Sequence, residues 1–250
     1  MGKIICIDAG HGGSDSGAVG NGVIEKNVAL NAVLSIGELL KKQGFDVIYT
    51  RNSDVYVNLN ERCRIANFKN ADLFISVHIN SATNTNAKGT ETLCYSKNKF
   101  AEIVQKNLIS VLKTNDRGLK ERKDLAVLNG TKMTAVLLEL GFLSNKDEAN
   151  LIKSSLFIDN VTTAVVKSVC LYFGVTFKGY ANDDYNAEKG KSIMEKDIEV
   201  VVEGEKRVTK GYFINGKNLF TAEFIRSLGF DVSYDADSKV VSFKRLKAWK

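Results

Sequence analysis

The chain has 250 residues, of which 44% are hydrophobic and 26% charged, and a formal net charge of +6. That composition belongs to an ordinary folded protein and excludes a fibrous or largely disordered chain. No run nears the roughly 18 apolar residues of a membrane span. The positive charge is spread along the chain without the basic clusters and stacking aromatics of a nucleic-acid surface, so nucleic acid is not expected as a partner.

Residues 1–8 carry one Lys and a short apolar run that leads straight into Gly and His, without the long apolar region and small-residue cleavage site of a secretory signal. The β-branched run 3–8 predicts a strand, and a glycine-rich loop follows it. Apolar residues at three- and four-residue spacing over 26–43 (Leu30, Val33, Leu34, Leu39, Leu40) predict a helix stopped by Gly44. Further strands are expected at 45–50, 72–78, 90–95 and 135–140, and further helices at 58–69, 98–113 and 155–173. This alternation predicts an α/β domain over residues 1–175, a mostly parallel or mixed sheet flanked by helices. Residues 176–194 are polar and aperiodic and read as a linker. A hairpin (197–203 with 207–214), a short helix (220–228) and a second strand pair (230–234 with 239–245) then predict a small α+β domain over 195–250. At about 55 residues it is near the lower size for independent folding. Met194 stands just before it, where an internal start would fall.

The four cysteines, Cys6, Cys63, Cys94 and Cys170, form no CxxC pair and lie in apolar or amphipathic runs. They read as buried thiols of the core.

The chemistry gathers at strand ends. His11 and His78 are the only histidines, and each lies at or just past the end of an expected strand. In an open α/β sheet that is where ligands bind, so both should face one crevice. Two imidazoles do not complete a catalytic zinc site, which takes three protein ligands and leaves a position for water. Glu25 can supply the third from the end of the glycine-rich loop, although a Glu there could equally complement a helix N-terminus. Glu139 lies inside the apolar run 135–140, where a charge is costly unless it is paired or functional. It is either half of a buried ion pair or a base for zinc-activated water.

The segments IDAGHGG (7–13), Glu25 at a helix head, ThrArg (50–51), ADLFISVHINSA (71–82), DRG (116–118) and AVLLELGFLSN (135–145) together resemble the zinc-dependent N-acetylmuramoyl-L-alanine amidases of the amidase-3 type, over about residues 3–173. The resemblance implies that His11, Glu25 and His78 bind Zn2+ and that Glu139 is the catalytic glutamate. The substrate it implies is bacterial peptidoglycan, cut between N-acetylmuramic acid and L-alanine. Asn80, two residues beyond His78, is expected to line the substrate cleft. Thr134 stands where relatives usually carry Pro, a departure that touches neither ligand nor base.

Residues 221–244 resemble, over a shorter stretch, the repeat of copper amine oxidase N-terminal-like domains. Without His or Met in 195–250 no copper site is expected there, and cell-wall binding or homo-oligomerisation is the expected role. The enzyme is expected to act at the cell wall, either released as phage lysins are or as a mature form after signal removal. Two other readings use the same residues: a zinc peptidase acting on the stem peptide, and a catalytically silent wall-binding protein. No G-x-S-x-G elbow supports a serine hydrolase.

Overall fold

The computed structural model describes residues 2–178 and the strand segments 194–202, 205–214, 217–219, 230–235 and 240–245. The chain divides into two compact units, Met1–Ala181 and Asn182–Lys250.

The first unit runs β1 (Ile4–Ala9), β2 (Val19–Gly20), β3 (Val23–Ile24), α1 (Glu25–Lys42), β4 (Asp46–Tyr49), α2 (Leu59–Phe68), β5 (Leu73–Asn80), β6 (Thr90–Cys94), α3 (Lys99–Leu112), β7 (Asp116–Glu121), α4 (Ala126–Asn129), β8 (Thr134–Phe142), α5 (Lys146–Ile152) and α6 (Ser155–Phe173). Six of these strands form one sheet in the order β4-β1-β5-β8-β6-β7. The first four are parallel; β6 runs antiparallel to β8, and β7 runs parallel to β6. The sheet is therefore mixed, and the start of β6 lies beside the ends of β5 and β8.

Strand alternation assigns two faces. Ile5, Ile7, Leu73, Ile75, Val77, Val136, Leu138 and Leu140 pack with α1, α3 and α6 in the larger core. Cys6, Phe74, Ala135 and Leu137 pack with Cys63 and Ala66 of α2 and with Val127 and Leu128 of α4. The second face is covered by short helices only, which leaves open the sheet end beyond β1, β5 and β8. α1 stops as its sequence predicts: Gly44 takes φ +87° and the Phe45 amide donates to the Leu40 carbonyl, closing the last turn.

Among the described residues Leu156–Phe173 of α6 is the one helix long and apolar enough to cross a bilayer, which the sequence reading did not anticipate. In this fold α6 places Phe157, Val161, Val165 and Val169 in the core, each nearly or wholly buried.

Five elements of this unit were not expected from the sequence, among them the two-residue strands β2 and β3 within the loop that follows β1. β7 (DRGLKE) is polar and mostly exposed, so it lacks the apolar alternation of a strand. α4 and α5 are too short for a helical period to emerge. α5 nevertheless carries a start signal, since the Asn145 side chain accepts from the amides of Asp147 and Glu148.

In the second unit β9 (Met194–Val202), β10 (Glu205–Ile214), β11 (Lys217–Leu219), β12 (Phe230–Asp235) and β13 (Val240–Arg245) form a sheet in the order β11-β10-β9-β13-β12. Both expected strand pairs are present and antiparallel. The expected helix 220–228 and most of the expected linker lie outside the described residues.

Candidate metal centre

β1 ends at Ala9 and delivers Gly10 and His11 to the open end of the sheet. His11 has a left-handed backbone, φ 59°, a conformation that costs a non-glycine residue about 1–3 kcal/mol unless its surroundings hold it there. Two buried arginines do so. Arg51 donates to the carbonyls of Ala9 (2.9 Å) and Gly10 (2.8 Å), and Arg62 donates to those of Ala9 (2.5 Å) and His11 (2.7 Å). Arg62 is itself fixed by a buried ion pair with Asp8 at 2.7 Å. Asp8 also accepts from the hydroxyls of Thr50 (2.6 Å) and Ser76 (2.5 Å). Gly10 has to be glycine, because a Cβ there would overlap the His78 ring.

Glu25, the first residue of α1, is buried and turns its carboxylate away from the helix, over the end of the sheet. Its Oε1 lies 3.1 Å from His11 Nε2 and accepts from His78 Nδ1 (2.9 Å) and the Ile79 amide (3.0 Å); its Oε2 accepts from the Ala18 amide (2.7 Å). Every partner is a donor from elsewhere in the fold, so a helix-capping role does not account for this residue. Ligand atoms of His11, Glu25 and His78 all lie within 4.8 Å of one another. Burial pushes the Glu25 carboxyl up, but hydrogen bonds from His11 and then His78 overcome it and hold it well below the ordinary carboxylate range. The hydrogen bond to Glu25 raises His11 to about 9, against burial, which lowers it. This is a pocket built for positive charge.

Behind the group, Asp15 Oδ2 lies 2.8 Å from His11 Nδ1. A carboxylate on the far nitrogen of a ligating imidazole fixes its tautomer and orientation. Sequence reasoning missed Asp15, because the i,i+4 spacing has no meaning in a non-helical loop.

Glu139 lies beside this group. Its backbone pairs with that of His78 across β5 and β8, and their side chains share the face of the sheet that carries α2 and α4. Its Oε2 is shut off from solvent and has no hydrogen-bond partner among the described residues. Burial raises its carboxyl to about 7. The ion-pair alternative raised by the sequence has no counterpart here.

The remaining expected residue, Asn80, bonds outside the histidine–glutamate group. After an irregularity in the β5/β8 register between His78 and Asn80, its Nδ2 donates to Glu91 Oε1 at 3.3 Å rather than to any member of the histidine–glutamate group. Glu91 pairs with Glu139 across β6 and β8 and is bound on its other oxygen by Arg117 Nε at 2.7 Å. A cleft of about 320 Å³ opens on the opposite side, lined by His11, His78, Tyr56, Arg62, Leu125 and Leu137 among others.

Two imidazoles and one carboxylate whose ligand atoms lie within 4.8 Å of one another, with an unpartnered carboxylate oxygen on the neighbouring strand, are a donor set that could hold a divalent metal ion.

Comparison with known proteins identifies the family of this chain. Residues 5–170 match a family described as N-acetylmuramoyl-L-alanine amidase. An endolysin of Bacillus phage SPP1 is 36% identical over 212 residues, covering 79% of this chain and 78% of that one. The germination-specific N-acetylmuramoyl-L-alanine amidase of Bacillus subtilis (strain 168) is 32% identical over 190 residues, covering 69% and 80%. Among solved structures, the catalytic domain of the N-acetylmuramoyl-L-alanine amidase CwlV from Bacillus (Paenibacillus) polymyxa var. colistinus superposes with a TM-score of 0.67 at 33% identity, covering 70% of this chain and 99% of that one.

Proposed function

Because the chain belongs to the N-acetylmuramoyl-L-alanine amidase family, we propose that His11, Glu25 and His78 hold its catalytic zinc ion and that Glu139 is its general base. The enzyme hydrolyses the amide bond between N-acetylmuramic acid and L-alanine in peptidoglycan, and it acts at the bacterial cell wall. The observation that carries the site assignment is the convergence of the three ligand atoms within 4.8 Å beside the unpartnered Oε2 of Glu139.

Held by His11, Glu25 and His78, a zinc ion would lower the pKa of a bound water toward about 7 and polarise the scissile carbonyl. The chain's own residues do the rest. Asp15 orients His11 through Nδ1, and Glu25, gripped by two backbone amides, keeps its carboxylate between the imidazoles. Glu139, with one oxygen free of hydrogen-bond partners, takes a proton from the attacking water. It then returns that proton to the departing L-alanine nitrogen, so the amine leaves neutral.

Turbidity loss and new termini on purified peptidoglycan test this reading, with chelator, with restored zinc, and with Glu139→Gln. The expected result is L-Ala amino termini that appear only with zinc and only with Glu139 intact. Termini elsewhere in the stem peptide would make the enzyme a peptidase. No new termini from folded, zinc-loaded protein would make it a silent wall-binding protein.

For the second unit we propose binding to a cell-wall polymer or self-association. A chain ending at residue 181 should then sediment with purified walls less than the full chain, or lose a dimer that the full chain forms. Equal sedimentation and a monomeric full chain would refute both.

A further inference from the structure

We infer that Arg117 is an anion subsite that receives a carboxylate of the acidic stem peptide, on the leaving-group side of Glu139. The assignment rests on Glu139 marking the reacting centre of the amidase site.

The backbone supplies the first observation. β6 and β7 pair Thr90 with Asp116 and then Glu91 with Gly118, so Arg117 is the extra residue of a β-bulge. Gly118 takes φ +72° to complete it. Bulges re-aim side chains and recur beside active sites. Here the side chain belongs to a mostly exposed edge strand, and Arg117 is itself partly exposed.

The second observation is how the guanidinium is held. Its Nε donates to Glu91 Oε2 at 2.7 Å, and its carbon lies 4.9 Å from the centre of the Phe142 ring. Glu91 is buried, and its other oxygen accepts from Asn80. The fork is therefore fixed from one edge and one face. Both terminal nitrogens have no hydrogen-bond partner among the described residues, and the side chain is 38% exposed. A guanidinium gripped through Nε, with its two terminal N–H groups free, is preorganised for bidentate recognition of a carboxylate. The neighbouring Arg122 does not compete for this role, because Asp124 already occupies its fork at 2.8 and 2.7 Å.

The third is position. Glu91 is the direct neighbour of Glu139 across one strand spacing of roughly 4.8 Å, which puts the Arg117 fork on the order of 10 Å from the base. The scissile nitrogen lies within hydrogen-bond reach of the base, roughly 3 Å, and an extended peptide covers the remaining span of about 7 Å in about two residues at roughly 3.3–3.6 Å each. The side of the base facing His11 carries the cleft, where Tyr56, Val57 and Leu125 stand beside charged groups that already hold one another or His11 (Arg62 with Asp8, Asp15 with His11), whereas the other side presents a guanidinium with a free fork. A substrate made of a sugar strand and an acidic peptide is oriented by that difference. Stem peptides whose second residue keeps its α-carboxylate should bind better than those in which it is amidated.

Two synthetic N-acetylmuramoyl-tripeptides differing only in carboxylate against carboxamide at that residue test this on the zinc-loaded full chain. A hydrogen-bonded charge pair predicts a preference for the carboxylate of about 10- to 100-fold in kcat/KM, carried mainly by KM. Arg117→Gln should bring the ratio to about one by slowing only the carboxylate substrate, with zinc content unchanged, and Arg117→Lys should keep part of the preference. Equal use of both substrates by the native enzyme overturns the proposal. So does a preference that survives Arg117→Gln, or a loss that falls equally on both substrates, which would mark Arg117 as support for Glu91 alone. An active Glu139→Gln enzyme whose carboxylate preference still depends on Arg117 would remove the base and leave the subsite standing.

Discussion

His78 and Glu139 are paired neighbours on adjacent parallel strands, the first a prospective metal ligand, the second a buried carboxylate with one oxygen unpartnered. One strand spacing thus sets the distance between ligand and base, and two regularly hydrogen-bonded strands fix it more firmly than a loop could.

Replacing Glu139 by Gln keeps the shape and removes the base. Turnover on peptidoglycan should fall by about 10²- to 10⁴-fold, while zinc bound per chain stays at the native value. Because the variant also replaces a carboxylate whose buried Oε2 has no hydrogen-bond partner among the described residues, its melting temperature should not fall; a drop would mean that Glu139 has a structural role.

Asp15 touches His11 only through the nitrogen that faces away from the metal position. Asp15→Asn should weaken zinc binding by about 10- to 100-fold, read by competition with a chromogenic chelator, and excess zinc should restore most of the activity. Unchanged affinity would remove Asp15 from the site.

Arg62 and Asp8 form an ion pair with side chains only 4% and 1% exposed. Removing one partner strands the other, so Arg62→Met should cost about 3–5 kcal/mol in urea unfolding. The double variant with Asp8→Asn should recover part of that loss. Zinc affinity should fall with Arg62→Met as well, since Arg62 also holds the His11 carbonyl.

All four cysteines are buried, and burial raises every one of their thiols above the ordinary range. The folded chain should react with a thiol reagent at pH 8 only as fast as it opens, and the unfolded chain at once. The sign of the pH effect follows: below the unfolded thiol pKa of about 8.5 both states hold their protons, and above it only the unfolded state releases them. Stability should therefore fall as pH rises beyond about 8.5, and a variant with all four cysteines changed to alanine should lose that part of the decline.

The sequence alone determined the parts whose signals are local. β1, β5 and β8 are buried on both faces and so read as unbroken apolar runs. His11 and His78 stood out at the ends of such runs and Glu139 inside one, because polar groups there need a reason to be present. Glu25 was legible as the residue joining a glycine-rich loop to a helix. Tertiary structure decided what depends on distant segments meeting: the reversed direction of β6, the polar edge strand β7, the grip of Arg62 on a loop 51 residues away in the chain, and the placing of Asn80 beside Glu91. None of these leaves a periodic trace, because a hydrogen bond or ion pair between remote residues needs only the right group at each end. Its geometry exists only once the sheet has brought those ends together.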